Sequence, residues 1–301
     1  MTPQHACAPT LGIDIGGSKT QGIVLDGRSR IVADRVRPTE PGPDGVVATA
    51  LATAADCLRL AGLTAADLGG VGVGIPGRVD HRTGVVHTAV NLGIGRLPLA
   101  ERLGPALGIG VRVDNDVKAT ALGAADYLRT PDADLTYLNF GTGVSAATLS
   151  GGVVVRGADN LAGEIGHFPV EPGAGRCGCG QDGCIEVLAG GGRIATRLAG
   201  LMPPASLTEL PAAEARRIAR GIAGAVQLAV LAHGSSRVAI GGGVIRTAPG
   251  LAALAGELLA ERAAHSEFLT SLDLPARIIV LPADHPLAAI GAALVGRPSA
   301  A

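Results

Sequence analysis

The sequence predicts an α/β fold made of two similar halves around a cleft. Strands alternate with helices along most of the 301 residues, the signature of an α/β chain. A unit of strand, glycine turn, strand and strand occurs twice, near 11–37 and near 135–157. No shorter repeat of the length used by solenoids is present, so the pattern reads as a duplication. The length allows one large domain or two of ordinary size.

LGIDI (11–15), KTQGIVLD (19–26) and RIVADRVR (30–37) read as short strands, the first two joined by Gly16-Gly17-Ser18, a turn compatible with a hairpin. Apolar periodicity from Gly45 to Ala61 predicts a helix stopped by Gly62. GGVGVGIPG (69–77) is a buried strand running into a turn, and VRVDND (111–116) is a strand that precedes the helix VKATALGAADYL (117–128). The second round has strands at 135–141, 144–150 and 153–157. A long helix at 212–233 ends at Gly234, and a strand follows at 237–243. A helix from Pro249 to about His265, a strand at 276–282 and a helix at 286–296 complete the pattern.

Composition excludes several classes. Hydrophobic residues make up 47% and charged residues 17%, enough for a buried core and incompatible with disorder. With 25 basic and 26 acidic residues, the formal charge is -1, so there is no electrostatic footprint for nucleic acid. Three Phe, two Tyr and no Trp leave little on which to stack a base or a sugar ring. No apolar run is long enough to span a membrane. The start MTPQHACAPT lacks a basic segment followed by an apolar one, so a cytoplasmic protein is expected. The five cysteines (Cys7, Cys57, Cys177, Cys179 and Cys184) are odd in number and clustered, a poor disulfide framework and a better metal site.

Glycine, at 46 residues, is about twice as common as usual. Asp14-Ile15-Gly16-Gly17-Ser18-Lys19-Thr20 occupies the first hairpin turn. Absent side chains let a phosphate reach backbone N–H groups, Ser18 or Thr20 can add a hydroxyl donor, and Asp14 at the strand end can hold Mg²⁺. The same residues would also suit an ordinary hairpin whose glycines supply positive φ. Gly141-Thr142-Gly143 fills the equivalent turn of the second half, and two such turns are what a polyphosphate clamp needs. Gly241-Gly242-Gly243 follows a buried strand and offers a flat surface for a base or ribose. Neither a Walker A loop nor a Rossmann fingerprint is present.

His167, Cys177, Cys179 and Cys184 have the spacing H-x9-C-x-C-x4-C. Three thiolates and an imidazole complete a closed tetrahedral zinc shell, which is structural in character and disfavours a zinc hydrolase. Such a metal would fold the 163–186 loop. Glu164 and Glu186 flank it, either as surface or metal-supporting charges or as carboxylates aimed at a polyol. Asn115-Asp116 closes a strand and opens a helix. Asp116 there is either an N-cap or a general base for phosphoryl transfer.

DIGGSKT (14–20), VDND (113–116), FGTGVS (140–145), GEIGH (163–167), CGCGQDGCIE (177–186) and the triple glycine at 241–243 occur in an order that resembles the ROK family of sugar kinases and related repressors. The resemblance runs from about residue 11 to 296 and implies an actin-like (ribonuclease H-like) ATPase fold with two lobes. It implies 1–116 as a smaller lobe, joined by the C-terminal helix 286–301, and 117–285 as a larger lobe carrying the 163–186 loop. It also implies an ATP-dependent hexose kinase, glucokinase-like, with Mg²⁺ and structural Zn²⁺ and with Asp116 as catalytic base. Asn91, Asn115, Asp116, Glu164, His167 and Glu186 match sugar positions. Asp14, Gly16, Gly17, Ser18, Lys19, Thr20, Gly141, Thr142 and Gly143, with the 241–243 loop, match nucleotide positions. The alternatives are a kinase for N-acetylmannosamine, N-acetylglucosamine, fructose or a specialised sugar, and a non-catalytic sugar sensor. Family analogy implies a homodimer or homotetramer. Only 13 residues precede Asp14, too few for a repressor's winged helix, so no DNA partner is expected. Lys118 stands where relatives carry a small or amide residue and is expected to face solvent. Ile94 to Arg96 stand where many relatives carry Trp.

Overall fold

The computed structural model describes residues 8–202 and 205–298. Cys7 and residues 299–301 of the expected C-terminal helix lie outside them. The described chain folds as two compact units. One comprises the residues up to Pro131, Arg156–Leu161 and the segment from Pro286; the other comprises Asp132–Val155 and Ala162–His285.

The first unit contains β1 (Thr10–Ile15), β2 (Lys19–Leu25), β3 (Ile31–Pro38), α1 (Pro43–Ala61), β4 (Gly70–Ile75), β5 (Arg78–Asp80), β6 (Val85–Thr88), β7 (Leu97–Pro98), α2 (Leu99–Leu107), β8 (Val111–Asn115) and α3 (Asp116–Tyr127). Its main sheet has the order β3-β2-β1-β4-β8, and β5, β6 and β7 form a small second sheet. β1 is antiparallel to β2 but parallel to β4, which is parallel to β8. α1 begins with Pro43 in its first turn and ends on Gly62 in left-handed conformation, the cap expected from sequence.

The second unit contains β9 (Leu135–Phe140), β10 (Val144–Ser150), β11 (Val153–Val154), α4 (Ile185–Ala189), α5 (Gly191–Ala199), α6 (Ala212–His233), β12 (Arg237–Gly241), α7 (Gly243–Thr247), α8 (Gly250–Ala263), α9 (Glu267–Leu272) and β13 (Ile278–Val280). Its sheet order, β11-β10-β9-β12-β13, repeats that of the first unit strand for strand. The hairpin β9–β10 matches β1–β2, and the parallel partner β12 matches β4. Duplication is thus visible in topology.

α10 (Leu287–Gly296) returns the chain to the first unit. It is almost entirely small and apolar because it lies directly on backbone. A Cβ on Gly12 or Gly72 would collide with the carbonyls of Ala289 or Ala292, and one on Gly291 with the Ala119 carbonyl of α3. α10 and α3 therefore pack as a pair on the sheet. This is why α3 belongs to the first unit and the division falls after Pro131, not at the 116/117 boundary expected from sequence. The junction that looks like a boundary is a continuous strand-to-helix turn whose helix is anchored by glycine-to-backbone contact.

Candidate active site and metal centre

In the first unit, register brings the carboxyl ends of three parallel strands together: Asp14 pairs with Gly74, and Gly74 with Asp114. A Cβ on Gly74 would sit 3.7 Å from Asp14 Oδ1 and 3.6 Å from Asp116 Cα. The absent side chain thus leaves Asp14 facing the Asp116 segment across one bare residue. Burial pushes the Asp14 carboxyl up to about 7, with the negative charge of Asp116 adding to the effect and Lys19 opposing it. Two carboxylates so placed favour a cation or a shared proton between them.

Two tests follow from this arrangement. The folded protein holds the Asp14 proton between about pH 4 and about 7, where the unfolded chain has lost it, so stability falls as pH rises through that window. Without added Mg²⁺, Asp14→Asn should flatten that slope, raising stability near neutral pH by about 1–3 kcal/mol; parallel melting curves from pH 4 to 8 would refute it. Gly74→Val fills the space bounded by Asp14 Oδ1, the Asp116 Cα and the Ala119 Cβ without removing either acid. Turnover should fall about 100-fold, with a stability cost of about 1–3 kcal/mol. Wild-type turnover in Gly74→Val would show that the gap has no role.

Asn115, and not Asp116, caps α3: its Oδ1 accepts from Val117 N at 3.0 Å and Lys118 N at 3.2 Å, while its Nδ2 donates to Gly77 O at 3.2 Å. Asp116 is the first helical residue. The capping alternative therefore belongs to its neighbour. Gly16 and Gly17 are absent from the glycines with positive φ, so this turn does not need them for a left-handed backbone; a Cβ on Gly16 would crowd the Lys19 carbonyl at 3.0 Å, whereas Gly17 is exposed and leaves its backbone accessible. Asn91 lies beside this turn, its Cβ 3.7 Å from where a Gly17 Cβ would be. Ser18 and Lys19 are exposed. Thr20 is not offered to a ligand: it is fully buried and its hydroxyl bonds to Thr39 Oγ1 at 2.9 Å.

In the second unit, the Gly141-Thr142-Gly143 turn is pinned from behind. Gly191 N donates to Gly141 O at 2.8 Å and Gly192 N to Thr142 O at 2.9 Å. Glu186 Oε2 accepts from Val144 N at 3.2 Å and occupies the space where a Gly143 side chain would be. Gly242 has φ 95, and a Cβ there would lie 2.5 Å from the Phe140 backbone. The 141–143 and 241–243 loops thus share one sheet edge, as the parallel pair Gly241–Asn139 requires. GEIGH lies flat on β10, because Gly163 and Gly166 leave room for the carbonyls of Ala146 and Val144. Ala146 N donates to Gly163 O at 2.8 Å. Glu164 faces solvent and His167 is half-buried.

His167 Nδ1 lies 3.6 Å from Cys177 Sγ, and Cys179 Sγ lies 3.7 Å from Cys184 Sγ. Tetrahedral ligands at usual zinc bond lengths stand about 3.6 Å (N to S) and about 3.8 Å (S to S) apart, so each of these pairs is spaced as zinc ligands are, while Cys184 falls outside the group of three whose ligand atoms are all mutually close. The ligand atoms of His167, Cys177 and Cys179 all lie within 4.8 Å of one another. Gly173, Gly175, Gly180 and Gly183 have positive φ and bend the loop; Asp182 ties it by accepting from Gly173 N at 2.5 Å and Gly175 N at 3.1 Å. Hydrogen bonds from Gln181 pull the Cys179 thiol down to about 6, while burial pushes Cys184 up to about 12. Cys57 lies apart, buried in the first unit's core.

Sequence reasoning missed four features. Gly74 lies in a run of glycines that reads only as strand, and Gly190-Gly191-Gly192 gave a signal, a triple glycine, that went unused. Arg156 makes a bidentate ion pair to the fully buried Asp114, a long-range contact without local signature. Lys118 does not face solvent: it is 5% exposed, and its Nζ donates to Asn160 O at 2.9 Å. The 156–161 segment covers that side of α3 and supplies the carbonyl that water would have.

The ROK family pattern matches residues 10–295. The chain belongs to the ROK family. This ROK chain is 35% identical over 198 residues to a glucokinase from Halalkalibacterium halodurans, an alignment covering 62% of this chain and 58% of that protein. The chain thus spans under two thirds of the length of such curated relatives. Among solved structures, a ROK hexokinase from Thermus thermophilus superposes with a TM-score of 0.81 at 29% identity, over 96% of this chain and 97% of that one. A ROK family glucokinase from Streptomyces griseus, solved with glucose and AMPPNP, gives a TM-score of 0.73 at 25% identity, covering 96% and 99%. The fold of this ROK chain is the actin-like ATPase fold.

Proposed function

We propose that this chain transfers the γ-phosphoryl group of ATP to a hydroxyl of a hexose, glucose to glucose 6-phosphate being the favoured reaction. The observation that carries the reading is that the Asp14 carboxylate and the Asp116 backbone flank the bare Gly74 beside an open glycine turn. Asp116 accepts the proton of the attacking hydroxyl as the new O–P bond forms and ADP departs. Asp14 is the residue that would hold Mg²⁺, which supplies charge neutralisation at the phosphates. Asn91, Asn115, Glu164, His167 and Glu186 are assigned to sugar hydroxyls, in keeping with a chain holding three Phe, two Tyr and no Trp. The 16–18, 141–143 and 241–243 loops are assigned to the nucleotide. Thr20 is left out because its hydroxyl is committed to Thr39.

His167, Cys177, Cys179 and Cys184 would hold Zn²⁺, whose role with four protein ligands is to order the 163–186 loop. Among the described residues no helix is long and apolar enough to cross a membrane; a cytoplasmic homodimer or homotetramer is proposed on family grounds. ADP release measured across a panel of hexoses and N-acetylhexosamines tests the reading. Sugar-dependent release is expected, fastest with glucose. Preference for another sugar would move the substrate, and binding without release would make the protein a sensor.

A further inference from the structure

The 156–161 segment lies in the chain between two stretches of the second unit yet packs with the first. It is an unusual piece of backbone. Gly157, Asp159 and Asn160 all have positive φ, at 64, 53 and 61, and for the two non-glycine residues this conformation is disfavoured. Strained backbone persists where surrounding bonds over-determine it. Here those bonds converge on the residues around Asp116.

Arg156 Nη1 and Nη2 donate to the two oxygens of Asp114 at 2.8 and 2.7 Å. Asp114 is fully buried, and its Oδ1 also accepts from Asn115 N at 2.8 Å. Two residues after the proposed base, Lys118 Nζ donates to Asn160 O at 2.9 Å. Asn160 is itself held, donating from Nδ2 to Val79 O at 2.8 Å and accepting from Arg156 Nη1 at 3.3 Å. Asp116 is therefore flanked at both i−2 and i+2 by charged side chains bonded to one short strap. A bidentate guanidinium–carboxylate pair fixes orientation as well as distance, and the low exposure of Asp114 and Lys118 limits competition from water.

We propose that Arg156 and Asn160 are positioning residues that hold the Asn115–Asp116 junction in its productive geometry. This rests on the kinase reading above. Neither residue touches the reacting atoms in this account; each acts through Asp114, Lys118 and the cap. The strap also runs directly into Gly163-Glu164, so the residues that hold the base are continuous in sequence with those assigned to the sugar.

The test uses the full chain and two readouts: ADP release with sugar, and hydrogen exchange of the peptide spanning 113–118. Because Arg156→Gln alone leaves a buried carboxylate unpaired, it is studied beside Asp114→Asn/Arg156→Gln, which removes both charges, and beside Asn160→Ala. The double variant should melt near the wild type while its kcat falls about 10- to 100-fold, with KM for ATP nearly unchanged and faster exchange at 113–118. Arg156→Lys should restore only part of kcat, because an ammonium cannot reproduce the fork. Asn160→Ala should lie between it and the wild type. A folded double variant with wild-type kcat and unchanged exchange would overturn the proposal. If the wild type shows no sugar-dependent ADP release, the kinase reading falls, and exchange at 113–118 alone decides whether the strap orders the junction.

Discussion

Asp116→Ala should lose phosphoryl transfer by about 100- to 10,000-fold in kcat, the range attributed to a positioned general base. It should keep sugar binding within about tenfold, since the other residues proposed to meet sugar hydroxyls are untouched. Its fold should also survive. Asn115 is the N-cap of α3, and Asp116 adds one local bond, its Oδ1 accepting from Val117 N at 3.0 Å, so truncation should cost far less structure than chemistry. Asn115→Ala makes the contrast: it deletes the cap and should cost about 1 kcal/mol or more of stability. Rate by coupled ADP release, affinity by calorimetry and melting temperature separate these effects. Retained turnover in Asp116→Ala would remove the base assignment, whatever the binding data show.

Removal of the metal should have the second large effect. Chelation, or Cys177→Ser, is expected to abolish zinc content measured by atomic emission and to lower sugar affinity about 10- to 100-fold before the protein unfolds globally. The physical basis is that the cysteine-bearing stretch 173–184 has few apolar contacts of its own. Its small buried cluster is Cys177, Cys184 and Val187, and its shape otherwise depends on Asp182, Gln181 and glycines with positive φ. The loop's two ends reach the second unit's main core through Ile165, Val170 and Ile185, but that core is built chiefly on β9, β10, β12, α6 and α8, so it should outlast loss of the metal. Cys57→Ala is the control, since Cys57 belongs to the first unit's core and should not alter zinc content. Wild-type protein without zinc, or metal-free protein with unchanged sugar affinity, would defeat the expectation.

Much of the fold was legible because it is written in local patterns. Short apolar runs joined by glycine turns marked β1, β2, β9 and β10, which are buried along most of their length, and glycine stops marked the ends of α1 and α6, where Gly62 and Gly234 adopt left-handed backbone. The small elements β5, β6 and β7 were missed because runs of two to four residues carry too little periodicity to register. Lys118 was misplaced for a related reason. A lysine early in a helix reads as a solvated charge, and only the 156–161 strap, distant in sequence, buries it. Thr20 read as a phosphate donor because its position in DIGGSKT is right, but its strand direction turns the hydroxyl inward to Thr39.

The sequence by itself determined the duplication, the chemistry-bearing residue types and the spacing of the His/Cys cluster, because each depends on short-range order along the chain. Tertiary structure alone decided which of those residues meet. Strand register set Asp14 opposite Gly74 and Gly74 opposite Asp114, and close backbone packing by glycine drew α3 and α10 onto one sheet. The bond from Arg156 to Asp114 spans 42 residues, and no local pattern encodes a partner at that distance. Short-range preferences choose the elements; burial and pairing across the fold choose their neighbours.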